Sequence, residues 1–277
     1  MAISEHTDGM TPPVTRPGRP PIGAVNWLGL WTLCAKEVRR FMKIPAQTIL
    51  APTMTTLVFL AIFALALGGA VRTVGGVPFM VFLAPGLVMM AIVQNAFANT
   101  SSSLMSSKIQ GNLVDILIPP LNPTELTFAF AIGGVMRGLL VGLTVGVSIA
   151  TFVPIGIHNI WALIFYPVAA SLMLSLLGMA AAIWADKFDQ MAAITNFVIT
   201  PLAFLSGTFY SIDRLPEPWH TVSLFNPFFY MIDGMRYALI GKADGSLIIG
   251  VVVLLAINAA LWTLCHQMLA RGYKIKE

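Results

Sequence analysis

The residues of this sequence that could do chemistry are charged side chains placed within or beside long apolar runs. Arg137 is the only Asp, Glu, Lys or Arg residue inside six apolar stretches of the chain. An arginine in hydrocarbon costs roughly 2.5–3.5 kcal/mol on insertion scales, so it needs a partner. The sequence leaves four partners open: a backbone carbonyl, water in a cavity, an acid such as Asp233, or an anionic group that passes through.

The motifs of an ATPase or a metalloenzyme are absent from the sequence. The single Gly-Lys pair, Gly241–Lys242, is followed by Ala243 and lacks the upstream glycine of a phosphate loop. Cys34 and Cys265 stand apart, without the closely spaced ligands that a metal requires. No carboxylate lies in any apolar stretch, which disfavours a carrier coupled to protons or sodium. We expect no catalytic residue, no metal site and no cofactor held by this chain.

The six apolar stretches predict an all-α membrane protein. Hydrophobic residues make up 57% of the 277 residues and charged residues 10%, whereas a soluble domain has about 25% charged residues. A bilayer core of about 30 Å is spanned by roughly 20 apolar helical residues. We predict six transmembrane helices, at about residues 47–70, 79–101, 127–153, 160–184, 191–210 and 246–268. Span three has a glycine at every fourth position, a ridge that lets another helix approach closely in lipid (Gly134, Gly138, Gly142 and Gly146). The neighbouring helix can belong to the same chain, which we favour, or to a second copy of the chain.

The basic residues are distributed unevenly between the segments that separate these spans. Loops rich in Lys and Arg stay cytoplasmic, so both termini are predicted to be cytoplasmic. The same distribution argues against a nucleic-acid partner. The predicted cytoplasmic side holds Arg16, Arg19, Lys36, Arg39, Arg40, Lys43, Lys108, Lys187, Arg271, Lys274 and Lys276, and the other side holds Arg72, Arg214, Arg236 and Lys242.

The chain before the first span has two parts. Residues 1–25 are rich in proline, glycine and threonine and predict a disordered cytoplasmic tail. Residues 26–44 repeat apolar side chains at steps of three and four, with basic residues on the remaining face. This pattern predicts an amphipathic helix in the membrane interface. The helix serves either as a simple anchor or as a surface that also contacts a cytoplasmic partner.

The segment between spans two and three predicts a short exposed helix. Gly111 should break the preceding helix, and Asn112 can cap a new one over about 113–118 that must end at Pro119 and Pro120. A plain connecting turn does not need so apolar a tip. The pattern therefore favours docking into a groove of another protein.

The segment between spans five and six is too polar to span a membrane and too apolar for a free loop. Asn226 can cap a helix that has Pro227 at its first position and extends over about 228–240. Asp233 and Arg236 stand three residues apart on this helix and can pair. We predict two short re-entrant helices in the outer leaflet, and a plug and a gate are both open interpretations.

Taken in order, these features resemble one family, the ABC-2 type transport permeases of bacteria. The resemblance covers residues 26–270 and is carried by four segments: Lys36-Glu37-Val38-Arg39-Arg40, Gly111 through Leu117, the glycine-rich third span, and Asn226-Pro227 through Tyr230 to Arg236-Tyr237. It implies a transmembrane domain over 26–277 in the bacterial inner membrane. It also implies a half-transporter, in which two membrane chains pair with two copies of a separate subunit that binds ATP and magnesium.

The resemblance also assigns roles to residues. The positions that it implies for coupling to the ATPase are Lys36, Glu37, Arg40, Lys108, Gly111, Asn112, Asp115, Pro119 and Pro120. The re-entrant gate would comprise Asn226, Pro227, Tyr230, Asp233 and Arg236. Arg137 is a candidate for the translocation path because of its charge within a span, and this role does not come from the resemblance.

The substrate class is less defined by this resemblance. Polysaccharide exporters need a wide channel lined with aromatics, and spans one and five show no unusual file of aromatic residues. We therefore expect a drug, a lipid or another amphipathic molecule as the substrate. Membrane lipids are expected as partners of the protein itself. The alternatives are a polysaccharide or glycolipid exporter permease, a membrane scaffold that does not transport, and an ATP-independent secondary carrier.

Overall fold

Eleven helices and one small hairpin make up the part of the chain that the structure describes. The structure is a computed structural model that describes residues 25–67, 73–74, 76–212 and 215–274, so the predicted tail lies outside the described residues except for Val25. The helices are α1 (Trp27–Met42), α2 (Ala51–Leu67), α3 (Phe79–Ile109), α4 (Leu113–Leu117), α5 (Pro123–Ala150), α6 (Ile160–Trp184), α7 (Phe188–Ile194), α8 (Thr200–Phe204), α9 (Trp219–Leu224), α10 (Pro227–Ile240) and α11 (Leu247–Ala270). Two π-helical turns, Ala46–Leu50 and Thr195–Ile199, lead directly into α2 and α8. The strands β1 (Thr73–Val74) and β2 (Val77–Pro78) pair antiparallel before α3.

The predicted fold class is confirmed: this is an all-α membrane protein. Within the described ranges, five helices are long and apolar enough to cross a bilayer: Ala46–Ala66, Phe79–Ile109, Pro123–Ala150, Ile160–Trp184 and Leu247–Ala270. The predicted fifth span corresponds to consecutive helical segments of seven, five and five residues from Phe188 to Phe204. At 1.5 Å per residue this run is about 25 Å long, somewhat short of a bilayer core. The number of six crossings therefore stays a prediction.

The bundle has two ends, which we name after Asp186 and Arg236. At the Asp186 end, the carboxylate of Asp186 accepts from Lys108 at the end of α3 and from Lys274 after α11. At the Arg236 end, the amide of His158 before α6 donates to Ala238 of α10 over 2.8 Å. Because the chain passes repeatedly between these ends, each connecting segment can be assigned to one of them.

The central helix of the bundle is α3. In its most apolar stretch 83% of the residues are buried, compared with 17% in α2 and in α11. Helices α5 and α6 pack against α3 on its buried faces. The outer helices α2 and α11 consequently present most of their apolar side chains to lipid or to another chain.

The glycine ridge of α5 packs mainly within the chain, as predicted. A Cβ at Gly134 would contact Thr100 and Ser175, one at Gly138 would lie 3.0 Å from the carbonyl oxygen of Ile92, and one at Gly142 would contact the Ile92 side chain. Gly146 has no heavy atom within 4 Å of such a Cβ among the described residues. The first three glycines therefore permit the close approach of α3 and α6, and the fourth lies outside this contact.

The break before α4 follows the prediction in part. Gly111 has a φ of +72°, a conformation that glycine adopts without strain, and it ends the preceding helix. The predicted cap at Asn112 is wrong, because its side chain makes no capping hydrogen bond and lies 3.4 Å from Gln110 Oε1 instead. Helix α4 ends at Leu117, two residues before Pro119.

Candidate functional site

A groove with a largely apolar lining and several polar side chains runs along α3 between α2 and the α7–α8 segment. It consists of two clefts of about 550 Å³ each that share Gln94, Ala98 and Thr200. Within the described part of the chain, the residues that line it include no charged side chain. Its polar lining comprises Gln47, Thr55, Thr56, Gln94, Asn95, Ser101, Ser102, Thr195 and Thr200. We call this feature the α3 groove.

The walls of the α3 groove combine hydroxyls that already donate hydrogen bonds to the backbone with the exposed amide of Gln94. The hydroxyls of Thr55 and Thr56 donate to Ala51 O and Pro52 O, each over 2.9 Å, so they remain compatible with an apolar helix. Gln94 is exposed on the groove face of α3. Both π-helical turns lie beside the groove, and such turns occur frequently at functional sites. The groove can therefore hydrogen-bond a polar molecule without presenting a fixed charge at its surface.

Four phenylalanines from α2 and from the segment around α8 meet near the Arg236 end of the α3 groove. The ring centroids of Phe63 and Phe209 lie 4.6 Å apart, and those of Phe204 and Phe209 lie 5.3 Å apart. Phe59 stacks on Phe63 at 6.5 Å and also lines the groove. The expectation that spans one and five would form no aromatic file is therefore wrong at this end. The rings are far apart in sequence. They meet because the two segments, which both run from the Asp186 end toward the Arg236 end, lie side by side.

Arg137 reaches the α3 groove through Asn95. Its Nη2 atom donates to Asn95 Oδ1 over 3.1 Å, whereas its Nε atom is buried and has no hydrogen-bond partner among the described residues. The amide nitrogen of Asn95 donates to Ala91 O over 3.0 Å, which fixes the orientation of the side chain. Asp233, one of the partners left open by the sequence, is instead engaged at the Arg236 end. The side chain that hydrogen-bonds to Arg137 is therefore the neutral amide of Asn95.

Helix α1 carries its buried polar side chains toward α3. Glu37 is fully buried, and its Oε1 atom accepts from Ser103 over 2.8 Å while its Oε2 atom lies 3.5 Å from Arg40 Nε. Arg40 also donates to the carbonyl and to the side chain of Asn99 over 2.7 and 2.9 Å. These two predicted coupling residues therefore attach α1 to the bundle. Lys36, by contrast, is exposed.

The predicted helix α1 is present and contacts the bundle along one face, and its position in the membrane interface stays a prediction. Leu33, Glu37 and Phe41 form the buried face, whereas Trp27 and Trp31 are exposed. Glycine at position 133 of α5 makes room for this face, since a Cβ there would lie 2.7 Å from Glu37 Cβ. The helix therefore contacts α3 and α5 along one face and leaves its tryptophans outside the chain. Sequence periodicity did not distinguish burial against lipid from burial against protein.

Glu125 joins the beginnings of α1 and α5, a contact that was not predicted from the sequence. One carboxylate oxygen accepts from the backbone N–H of Asn26 over 2.7 Å, and the other accepts from that of Asn122 over 2.8 Å. The Asn122 side chain in turn accepts from the N–H of Glu125, which completes a capping box. The spacing of Asn122 and Glu125 was the sequence signal that could have identified this motif. The long-range contact to Asn26 had no such signal.

Helix α4 projects an apolar surface from the Asp186 end. Val114 and Ile118 expose 58% and 72% of their surface, and Asp115 is exposed beside them. Ile116 on the opposite side is buried in the core of the bundle. The predicted coupling positions Gly111, Asn112, Pro119 and Pro120 are exposed around this tip. A five-residue helix held by one buried side chain thus presents its other side outward. We call this surface the α4 tip.

Lys108 holds helix ends together rather than facing outward. Its Nζ atom donates to the carbonyl oxygens of Ile183 and Ala185 over 3.1 and 2.8 Å and to Asp186 over 3.2 Å. Hydrogen bonds from Lys274 and Lys108 lower the pKa of the Asp186 carboxyl below its ordinary value. The carboxylate therefore stays ionised at neutral pH and links the ends of α3, α6 and α11 beneath the α4 tip.

Arg236 forms a dense network at the opposite end. It lies 3.5 Å from Asp233 and 3.4 Å from Asp244, donates to Gly207 O over 2.7 Å, and stacks over the Phe82 ring at 4.0 Å. The predicted pairing of Asp233 with Arg236 is confirmed. Because the partners belong to α3, α10 and two connecting segments, the network joins these elements into one unit.

The beginning of α10 follows its predicted capping pattern. Asn226 accepts from the N–H of Phe228 over 3.0 Å, with Pro227 at the first helical position. Its amide also donates to Leu202 O over 2.6 Å, which ties α10 to α8. Tyr230 donates to Leu224 O of α9 over 2.9 Å. Two short helices are therefore present where two were predicted, and their re-entrant position in a membrane stays a prediction.

The long apolar helices packed around α3 define a multi-pass membrane protein. Comparison with known families gives its class. The family model of the ABC-2 type transporter matches residues 29–240, and the chain belongs to this family.

Named relatives agree with this assignment. The chain is 36% identical over 253 residues to the inner membrane transport permease YadH of Escherichia coli K12, an alignment that covers 91% of this chain and 98% of the relative. It is 26% identical over 244 residues to nodulation protein J of Rhizobium leguminosarum bv. viciae, with 84% and 90% of the two chains covered. The chain is therefore a transport permease subunit, in a family whose members generally work with ABC ATP-binding subunits.

Proposed function

We propose that this chain is the membrane half of an ATP-driven exporter, and that the α4 tip is its docking surface for a separate ATP-binding subunit. The observation that carries this proposal is the exposed apolar tip of α4 above a rigid base. Isoleucine and valine side chains exposed at a helix tip favour insertion into a groove of a partner. The clamp of Lys108, Asp186 and Lys274 lies at the same end, so force applied to α4 is transmitted to α3, α6 and α11.

The translocation path is formed by the α3 groove. One chain leaves this groove open along its side, and amides and hydroxyls facing lipid are unfavourable. We infer that a second copy of the chain, or a paralogous permease, covers the groove and completes the path. The exposed apolar helices α2 and α11 supply surface for contact with lipid or with that second copy.

The proposed cycle uses ATP and magnesium bound by the partner subunits, two copies for each pair of permeases. Closure of the ATPase pair pushes on the α4 tip and on α1, which lies beside it. Because Glu37 and Arg40 fix α1 to α3, the motion reaches the groove. The two permeases rock apart, and the path opens toward the Arg236 end, where α9 and α10 act as the outer gate.

The proposed orientation follows from the basic residues and from the bundle ends. The Asp186 end holds α1, the α4 tip and the end of α11, and it carries the greater share of Lys and Arg, so it is placed in the cytoplasm of a bacterium. The chain then resides in the inner membrane with both termini inside. The Arg236 end then faces outward, and we propose export as the direction because the family resemblance implies it.

The proposed substrate is an amphipathic molecule such as a drug or a lipid. The groove offers neutral hydrogen-bonding groups at mid-bundle and apolar side chains toward its Arg236 end, including Leu87 and Met90. A substrate with one polar and one apolar part matches this distribution.

A glycolipid or polysaccharide is a second candidate substrate, and one observation favours it. The stacked cluster of Phe59, Phe63, Phe204 and Phe209 presents aromatic faces at the groove. Such faces suit the apolar side of a sugar ring. A secondary carrier is less consistent with the groove, since the residues that line it include no carboxylate in the described part of the chain.

The docking proposal is tested by substitutions on the α4 tip. Asp115→Arg and Ile118→Glu each place a charge on the exposed surface and should reduce co-purification of the ATP-binding subunit and ATP-dependent export by about tenfold or more. Ile157→Glu is the matched control, because Ile157 is a similarly exposed isoleucine between α5 and α6, at the opposite end. A scaffold that does not transport would keep its phenotype with Asp115→Arg. Unchanged binding and export in both α4 variants would refute docking at this tip.

A further inference from the structure

The charge of Arg137 is not balanced by a neighbouring acid in the described part of the chain. A guanidinium has five N–H donors, and here a single hydrogen bond, to the neutral amide of Asn95, is made. The buried Nε atom has no hydrogen-bond partner among the described residues. A positive charge in a membrane bundle thus lacks its counter-charge.

Arg40, which lies on α1, has such a counter-charge. Its guanidinium lies 3.5 Å from the Glu37 carboxylate and donates to Asn99 and Ser102, although its Nε atom, like that of Arg137, has no hydrogen-bond partner among the described residues. The three charges of Glu37, Arg40 and Arg137 sum to one net positive charge. That surplus belongs to Arg137, at the middle of α5.

The position of Asn95 connects this surplus charge to the α3 groove. The Asn95 side chain lines the groove and simultaneously accepts from Arg137 over 3.1 Å. An oxyanion in the groove beside Asn95 would be near the guanidinium in a medium where charge interactions are strong. Apolar side chains continue from this point toward the Arg236 end, including Phe59, Leu87 and Met90. The groove therefore combines an apolar stretch with a cation that lies behind Asn95 in its wall.

We propose that Arg137, oriented by Asn95, binds the oxyanion of an anionic amphiphile, and that the α3 groove takes molecules in which one phosphate or carboxylate group is attached to an apolar chain. This inference rests on the proposed function, because it names the substrate class of the same path. The oxyanion supplies the missing counter-charge of Arg137. Neutral and zwitterionic amphiphiles with the same chain bind more weakly, since they do not provide a net charge.

The test is ligand binding to the purified full-length chain, followed by native mass spectrometry in a neutral detergent. The probes are dodecyl phosphate, dimyristoyl phosphatidic acid and the zwitterionic dimyristoyl phosphatidylcholine. Arg137→Gln should weaken binding of an anionic probe by about tenfold or more, because hydrogen bonds to charged groups are strong. Arg137→Lys should retain part of the affinity. Arg39→Gln, which removes an exposed cation of α1, should leave it unchanged.

A second variant keeps the test decisive if Arg137→Gln does not fold. Asn95→Asp places a carboxylate at the position that Arg137 already contacts and neutralises the guanidinium without removing it. Anionic probes should then bind as weakly as in Arg137→Gln. If Arg137→Gln weakens the binding of dodecyl phosphate, the site takes a single-chain substrate. If it weakens only the binding of phosphatidic acid, the site holds the headgroup of a resident lipid. Both results support the proposal.

Two outcomes would overturn the anion site. One is equal binding of anionic probes by the wild type, Arg137→Gln and Asn95→Asp. The other is an equal loss in Arg39→Gln, which would show attraction to the surface rather than to the groove. Neither outcome affects the proposed ATPase partnership, because binding is measured on the permease chain alone and co-purification of the partner is measured separately.

Discussion

Arg137 and Arg236 are both arginines enclosed by helices, yet their surroundings assign them different roles. Arg236 has two carboxylates, a carbonyl and an aromatic ring around its guanidinium. Arg137 has one amide. A cation whose partners are supplied by the fold stabilises that fold, whereas a cation that lacks a counter-charge is available to a ligand.

We predict that Arg236→Met strongly destabilises the protein. The substitution leaves the Asp233 and Asp244 carboxylates near each other without their cation, and breaking a buried pair in this way costs about 3–5 kcal/mol. Thermal unfolding of the purified chain in detergent measures the effect. Arg39→Gln serves as the control, because that side chain is exposed. An unchanged unfolding temperature for Arg236→Met would show that the network contributes little.

Local pairs of residues were predictable from the sequence, and partners from distant segments were not. The pairing of Asp233 with Arg236 and the cap at Asn226 follow from spacings of one helical turn or less. Asp244 and Phe82 join the same network from another connection and from α3. No periodicity in the sequence indicates such contacts, because they depend on how the helices are placed in three dimensions.

At the scale of elements, α1 is a helix attached by polar contacts to a bundle of apolar helices. Glu125 accepts a hydrogen bond from the backbone N–H of Asn26 at the beginning of α1. The Glu37–Arg40 pair, near the end of α1, contacts α3. The attachment matters to the mechanism because α1 lies at the end where the ATPase is proposed to act. Loosening it should uncouple the helix from the groove.

We predict that Glu125→Ala detaches α1 locally. The substitution leaves the N–H groups of Asn26 and Asn122 without their acceptor, and loss of a helix cap costs about 1 kcal/mol. Labelling by a maleimide should become several-fold faster at Cys34, which is half-buried on α1. Cys265 is buried on α11 and provides an internal control that should stay protected. Equal acceleration at both cysteines would indicate general unfolding rather than detachment of α1.

A second prediction at this scale concerns the glycine ridge of α5. Gly134→Ala should destabilise the bundle by about 1–3 kcal/mol, because its Cβ would displace the hydrogen-bonded pair of Thr100 and Ser175. Gly146→Ala is the matched substitution in open space and should leave the stability unchanged or raise it by up to about 1 kcal/mol, because alanine favours a helix more than glycine does. Thermal unfolding of the two variants in the same detergent compares them. Equal losses would contradict the role of the ridge in packing α5 against α3 and α6.

The long apolar stretches of the sequence were sufficient to predict the long helices. The residues at which these helices begin and end were predicted less well. Helix α6 occupies the predicted range 160–184, whereas α3 continues eight residues beyond residue 101, to Ile109. The extension is polar, with Ser103 buried and its other serines half-buried, and it ends just before Gly111, where the sequence predicted the break. The π-helical turns beside the groove have no sequence signal that we recognise.

At the scale of the whole molecule, the segment from Phe188 to Phe204 decides the topology. It begins beside Ser101 and Ser102 near the Asp186 end, and its last residues line the groove with Leu87 toward the Arg236 end. It therefore runs antiparallel to α3 along the bundle. If it crosses the bilayer, the chain has six crossings, and α9 and α10 lie outside.

We predict this six-crossing topology and an accessibility pattern that tests it. In a background without native cysteines, a cysteine at Gly156 or at Lys242 should react with a reagent that does not cross the membrane when it is added from outside. A cysteine at Asn112 or at Lys187 should react only after the membrane is opened. If the segment from Phe188 to Phe204 did not cross, Lys242 would be protected while Gly156 remained reactive.

The proposed partnership of this permease with a separate ATP-binding subunit is tested by co-purification and an ATPase assay. The tagged wild-type chain is purified from its native membrane in mild detergent, its partners are identified by mass spectrometry, and ATP hydrolysis is measured. We predict a near-stoichiometric soluble protein with a phosphate-binding loop and vanadate-sensitive hydrolysis. A chain that purifies alone and without ATP hydrolysis, under conditions in which it remains folded, would contradict the account.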